Sequence, residues 1–113
     1  MLVWKKSLEF VKLVYRLSTH FPKEEIYGLT SQLKRASVSV LANIVEGRSR
    51  RTQKEFVNFL YIANGSLSEC RCYFELALEL NFITPVQYNF ISNKGNELGY
   101  LLHKFIDTVS KTP

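Results

Sequence analysis

The chain has 113 residues, 46% hydrophobic and 22% charged, with only five glycines and three prolines; this excludes a disordered or low-complexity chain and suits one domain spanning residues 1–113. No apolar run approaches the ~20 residues of a membrane span, and Leu2-Val3-Trp4 is too short for a signal-peptide core, so a cytoplasmic protein with no membrane partner is expected. The net charge of +5 is uneven, with eleven Lys and Arg against four acids in residues 1–54 and four against six in residues 55–113, which suits either a phosphate-bearing partner or a solubility face.

Trp4, Leu8, Val11 and Tyr15 recur at helical spacing and predict a first helix between Trp4 and His20. Phe10, Leu13, Val14 and Leu17 widen that stripe beyond half the circumference, leaving a narrow polar arc with Lys5, Lys12 and Arg16. Phe21-Pro22 ends the helix, and Lys23 to Tyr27 suits a short extra turn before Gly28.

A second helix follows from Leu29, Leu33, Ala36, Ser37, Val40, Leu41 and Ile44, with Thr30 or Ser31 as its expected cap and Gly47 as its expected stop. Val38, Ala42 and Val45 fall outside its stripe, so its apolar surface exceeds what one neighbouring layer covers.

Thr52-Gln53-Lys54-Glu55 reads as a capping box that opens a third helix. Asn64-Gly65 resembles a hairpin turn, yet Phe56, Leu60, Ala63, Leu67, Cys70, Phe74 and Ala77 keep one phase across it. The helix therefore runs to about Leu80, and Gly65 is expected to mark close backbone packing. Thr84-Pro85-Val86-Gln87 is a second capping box, and Ile91, Gly95, Leu98, Leu102, Phe105 and Val109 carry a fourth helix toward Val109. Short connections and this spacing predict an all-α fold, an antiparallel up-down-up-down four-helix bundle with left-handed packing.

Catalytic and metal chemistry find little support. No Glu stands three residues before a His, as a di-metal bundle requires, and neither His20 nor His103 has an obvious ligand partner. Arg16 and His20 miss the arginine-to-histidine spacing of helical toxin ribonucleases. Cys70 and Cys72 point about 200° apart on a helix and cannot bridge; they read as packing residues. No Walker loop is present. Neither enzyme activity, metal nor cofactor is expected.

Arg48, Arg50, Arg51 and Lys54 crowd the turn between the second and third helices, with Lys34 and Arg35 upstream. Arginine forks and the amides opening a helix both suit phosphate. Pairing with Glu46 or Glu55, or plain solvation, is the competing reading. Without a base-reading module, binding would be to backbone and shape.

At Phe21-Pro22, Tyr27-Gly28-Leu29-Thr30-Ser31-Gln32-Leu33, Arg35-Ala36, Asn43-Ile44, Glu46-Gly47, Glu55-Phe56, Phe59-Leu60, Ile62-Ala63 and Gly65-Ser66-Leu67 the chain resembles a bacterial four-helix bundle family named after 23S rRNA intervening sequences. The resemblance spans roughly Leu8 to Val109. It implies a four-helix bundle assembled as a homopentameric ring or barrel with no catalytic residues established, and a related branch, the accessory variability proteins of diversity-generating retroelements, resembles a basic pentamer that binds nucleic acid and a reverse transcriptase. Leu41 stands where relatives commonly carry proline, and Cys70-Arg71-Cys72 replaces a usual Leu-Glu-Thr, which puts in doubt any ion pair relatives make there.

Three functions remain open. The first is a homo-oligomeric accessory protein holding RNA or DNA through Lys34, Arg35, Arg48, Arg50, Arg51 and Lys54, with Leu13, Leu17, Val38, Ala42 and Val45 at the oligomer interface. The second is a protein adaptor without nucleic-acid binding, and the third an enzyme with an unrecognised site.

Overall fold

The computed structural model describes residues 1–112 and contains, among them, four helices and no strand. These are α1 (Leu2–Ser18), α2 (Leu29–Arg48), α3 (Gln53–Glu79) and α4 (Pro85–Ser110), with a 3-10 turn at Lys23–Glu25 between the first two. The all-helical body measures 48 × 25 × 19 Å. Helix α1 packs on α2 and α4, and α3 packs on α2 and α4, an arrangement consistent with a four-helix bundle.

Helices α2, α3 and α4 bury most of the stripes their spacing predicts; Leu41, Phe56 and Phe105 are only partly buried, and Ile106 is buried where Phe105 is expected. Leu33, Val40 and Ile44 of α2 meet Leu60, Ala63, Leu67 and Cys70 of α3 and Ile91, Leu98 and Leu102 of α4 in one core. Helix α1 departs from expectation. Its buried face is Val3, Ser7, Phe10, Val14 and Ser18, whereas Trp4, Leu8 and Tyr15 of the predicted stripe stay exposed. The two buried serines cost little, because Ser7 Oγ donates to the Val3 carbonyl at 2.8 Å and Ser18 Oγ to the Tyr15 carbonyl at 3.0 Å.

The caps explain the helix limits. Neither Thr30 nor Ser31 caps α2; the Glu25 carboxylate accepts from the Leu29 amide at 3.0 Å, and Thr30 is buried. The 3-10 turn carries Glu25 over the helix start, where a negative charge also complements the dipole. Thr52 accepts from the Glu55 amide at 3.1 Å, but among the described hydrogen bonds the Glu55 side chain makes no return bond, so the expected box is only half formed. The Thr84–Gln87 box is complete, with bonds of 3.1 and 2.8 Å. Helix α3 ends in a left-handed residue, Asn81 at φ 61°, with the Phe82 amide reaching the Ala77 carbonyl at 2.9 Å, a Schellman closure.

Three glycine-bearing places repay attention to space. Gly47 does not stop α2, which runs on to Arg48 and is capped by Ser49. A methyl group at Gly47 would lie 2.7 Å from Phe59 Cβ and 2.9 Å from Phe56 Cδ1, so its bare backbone lets α2 pass close against α3. Gly65 is the reverse, since a methyl there would meet nothing within 4 Å and the expected close packing is absent within the chain. Gly95 and Gly99 of α4 leave room for Arg71, whose guanidinium donates to the Gly95 carbonyl at 2.8 Å. Arg71 thus finds a backbone partner rather than an acidic one. Helix α2 passes Leu41 without interruption.

The glycines set a test. Gly47→Ala should lower stability by about 1–3 kcal/mol through overpacking, whereas Gly65→Ala in the isolated chain should raise it by roughly 0.5–1 kcal/mol through helix propensity. Opposite shifts in the urea midpoint at unchanged slope are the expected result.

Candidate nucleic-acid interface and apolar face

The turn joining α2 to α3 is only four residues long, Ser49 to Thr52. Ser49 closes α2 by bonding back to the Glu46 carbonyl through both its amide and its hydroxyl, at 3.2 and 2.8 Å. Arg50 folds back as well. Its guanidinium binds the Glu46 carboxylate and lies 4.7 Å from the centre of the Phe59 ring. Arg48, Arg51 and Lys54 are exposed, and none of the described ion pairs uses them.

The six cations expected to hold phosphate therefore fall into two groups. Lys34 lies fourteen positions before Arg48 on the same helix, about 21 Å away at 1.5 Å per residue. Its ammonium sits 4.8 Å from the Tyr15 ring centre, against α1. Arg35, one position on, is rotated by about 100° and exposed. The turn brings together Arg48, Arg50, Arg51 and Lys54, and does not bring Lys34 or Arg35 to them.

The apolar surplus resolves into a face. Trp4, Leu8 and Tyr15 of α1 and Val38 and Val45 of α2 are each between about a third and a half exposed, from Leu8 at 37% to Val45 at 50%. Met1, Trp4, Val45, Arg48 and Ser49 line a cavity of about 390 Å³ at one end of it, while Tyr15 and Lys34 meet toward the other. Ala42 shares the outer side of α2. Leu13 and Leu17 do not share this face; they pack partly buried against the core and line cavities with Phe90 on the α4 side.

Sequence reasoning missed the outward placement of Trp4, Leu8 and Tyr15, because spacing alone does not say which of two apolar stripes is buried. It also missed the tie between α1 and α4, where Lys6 Nζ lies 3.0 Å from Glu97 and 3.6 Å from Glu9. Hydrogen bonding from Lys6 holds the Glu97 carboxyl below its ordinary range, and Glu97 in turn raises the Lys6 ammonium.

The pattern of the 23S rRNA-intervening sequence protein family matches residues 1–104. The chain belongs to that family. Its fold is similar to a crystal structure of a protein of unknown function from the S23 ribosomal protein family of Bacteroides thetaiotaomicron, at 30% identity and a TM-score of 0.82, covering 97% of this chain and 99% of that one. No protein of curated function matches it. Family membership thus agrees with the helical architecture and leaves function to be argued from the surface.

Within the family fold, the two cysteines differ sharply. Cys70 is buried, and burial, helped by the charge of Glu69, pushes its thiol up to about 12, whereas Cys72 is exposed. Only the thiolate attacks electrophiles. Titration of the native protein with a thiol reagent near neutral pH should modify Cys72 alone, and Cys70 should react only after denaturation.

Proposed function

We propose that this protein is a non-enzymatic homo-oligomer of the cytoplasm that acts as an accessory factor, holding the backbone of RNA or DNA along the Arg48–Lys54 edge. In this reading the bundle is antiparallel, up-down-up-down and left-handed, and the assembly is a pentameric ring. One observation carries the proposal: the exposed face of Trp4, Leu8, Tyr15, Val38 and Val45 ends at Arg48, a cation that none of the ion pairs among the described residues uses. Contiguous apolar surface of this kind marks an association site.

A ring requires two different faces to meet. The outer side of α3 supplies a candidate, with exposed Tyr61, Ile62 and Leu76 beside Glu69, opposite in charge to the Lys34 and Arg48 margin of the first face. A ring would repeat the cationic turn once per subunit, and multivalency converts a weak contact into a usable one. Helix C-termini also welcome cations, so part of the Arg48 placement serves α2 itself.

The pairing of Arg50 with Glu46 favours a second reading, a protein adaptor for an acidic partner or for a reverse transcriptase, because it leaves fewer cations for phosphate. Salt dependence separates the two. With Arg48, Arg51 and Lys54 engaged, log K against log salt on duplex DNA should fall with a slope of about −2.7 per subunit, or about −3.6 if Arg50 also leaves Glu46. A slope near zero, or equal binding by wild type and Arg48→Glu/Arg51→Glu, removes nucleic acid from the proposal. Light scattering tests the assembly: wild type should be larger than a monomer at micromolar concentration, and Val38→Glu/Val45→Glu should reduce it to one while helicity is kept.

A further inference from the structure

A second cationic region lies between α1 and α4, on residues that the Arg48–Lys54 edge does not use. Two adjoining cavities of about 230 and 290 Å³ share Leu13, Arg16 and Phe90. Lys12 and Lys94 border the first cavity with Glu9, and Leu17, His20 and Ile91 line the second. Along α1 the groove runs from Glu9 to His20, about 16 Å at the helical rise.

Its charges are available. None of the ion pairs among the described residues involves Lys12, Arg16 or Lys94. The acids beside the groove, Glu9 and Glu97, both pair with Lys6, at 3.6 and 3.0 Å, and both line a small cavity with Lys94. Lys12 and Arg16 stand one helical turn apart on the same side of α1, and Lys94 faces them from α4. The cations therefore flank the groove while its floor, Leu13 and Leu17, is apolar.

Phe90 decides the ligand. Phe90 is 50% exposed at the junction of the two cavities, with the Lys94 ammonium 5.7 Å from the ring centre. A half-exposed ring beside arginine and lysine offers a base a stacking surface and its phosphates a counter-charge, the combination that single-strand binders use. Bases inside a duplex are already stacked and cannot reach such a ring. An acidic amphipathic helix would call for several apolar anchors along the groove, whereas the one exposed apolar side chain lining it is the Phe90 ring, which suits a flat base.

We propose that the α1–α4 groove is a site for single-stranded nucleic acid, in which Lys12, Arg16 and Lys94 hold the sugar-phosphate backbone and Phe90 takes the face of an unpaired base. The proposal deepens the nucleic-acid reading above but rests on different residues, so each can fail alone.

Fluorescence anisotropy with a labelled twelve-nucleotide oligouridine and a duplex DNA of equal length tests it, using the full chain. Phe90→Ala should weaken oligouridine binding by roughly five-fold to 100-fold and leave duplex binding as it was, with Phe90→Trp restoring affinity. Lys12→Gln/Arg16→Gln should make the single-strand salt slope shallower by about 1.4. Circular dichroism of each variant checks folding, and the tryptophan variant separates a lost stacking surface from a lost fold. Single-strand binding should survive Arg48→Glu/Arg51→Glu, which tests the turn and not the groove. The proposal is overturned if Phe90→Ala binds oligouridine like wild type, if the groove variants weaken duplex and single strand equally, or if the groove captures an acidic amphipathic peptide and no oligouridine.

Discussion

The contact on which the surface arrangement depends is the approach of α2 to α3 at Gly47. With no side chain there, the α2 backbone comes against Phe56 and Phe59, and a four-residue turn suffices to reverse the chain. That closeness has an electrostatic consequence. It puts the Phe59 ring where the Arg50 guanidinium can rest on it while binding Glu46 one helical turn back. Arg48 and Arg51, on either side in sequence, are left to solvent. A bulkier residue at position 47 would move the helices apart and with them the geometry of every cation in the turn.

Helix α1 shows how a core can be chosen against side-chain size. The stripe of Trp4, Leu8 and Tyr15 carries bulky side chains, yet the face of Val3, Ser7, Phe10, Val14 and Ser18 is the buried one. Small residues let α1 settle close to its neighbours, and the serine hydroxyls are satisfied within the helix, so burying them incurs no orphaned hydrogen bond. Large side chains left outside are the residue of that choice. Burial of each such side chain against a partner is worth about 1.5–3 kcal/mol when complete, which is why a face carrying several of them matters more than their scattered occurrence would.

Periodicity names the buried stripe in α2, α3 and α4 and misses it in α1, where apolar residues run round more than half of the helix. For α3 and α4 the spacing named Leu60, Ala63, Leu67, Cys70, Ile91, Leu98 and Leu102, all buried, and it carried α3 through Asn64-Gly65 because phase is a property of the whole helix. Caps depended on how local the partner was. Thr52 and Thr84 cap within their own first turn, so both caps can be read from four letters, although only the Thr84 box is reciprocal; Glu25 reaches α2 only because an intervening 3-10 turn places it there. Gly47 and Gly65 were misread for one reason. A glycine's meaning lies in what stands opposite it in space, and for Gly65 the chain itself supplies nothing.

Charge is subject to the same limit. A count of lysines and arginines treats all cations alike, but the fold sorts them by adjacency. Lys6 ties α1 to α4, Arg50 is turned onto Glu46, Lys111 lies near Asp107, and Arg71 is spent on an α4 carbonyl. Arg48, Arg51 and Lys54 at one turn, and Lys12, Arg16 and Lys94 along the α1–α4 groove, have no such partner among the described ion pairs. A polyanion gains most from cations that need not first give up a carboxylate, since breaking an existing pair cancels part of the new one. That these cations are left out of the ion pairs, more than the excess of bases, is therefore what distinguishes these two regions as places for phosphate, and it becomes visible only when helices far apart in sequence are set side by side.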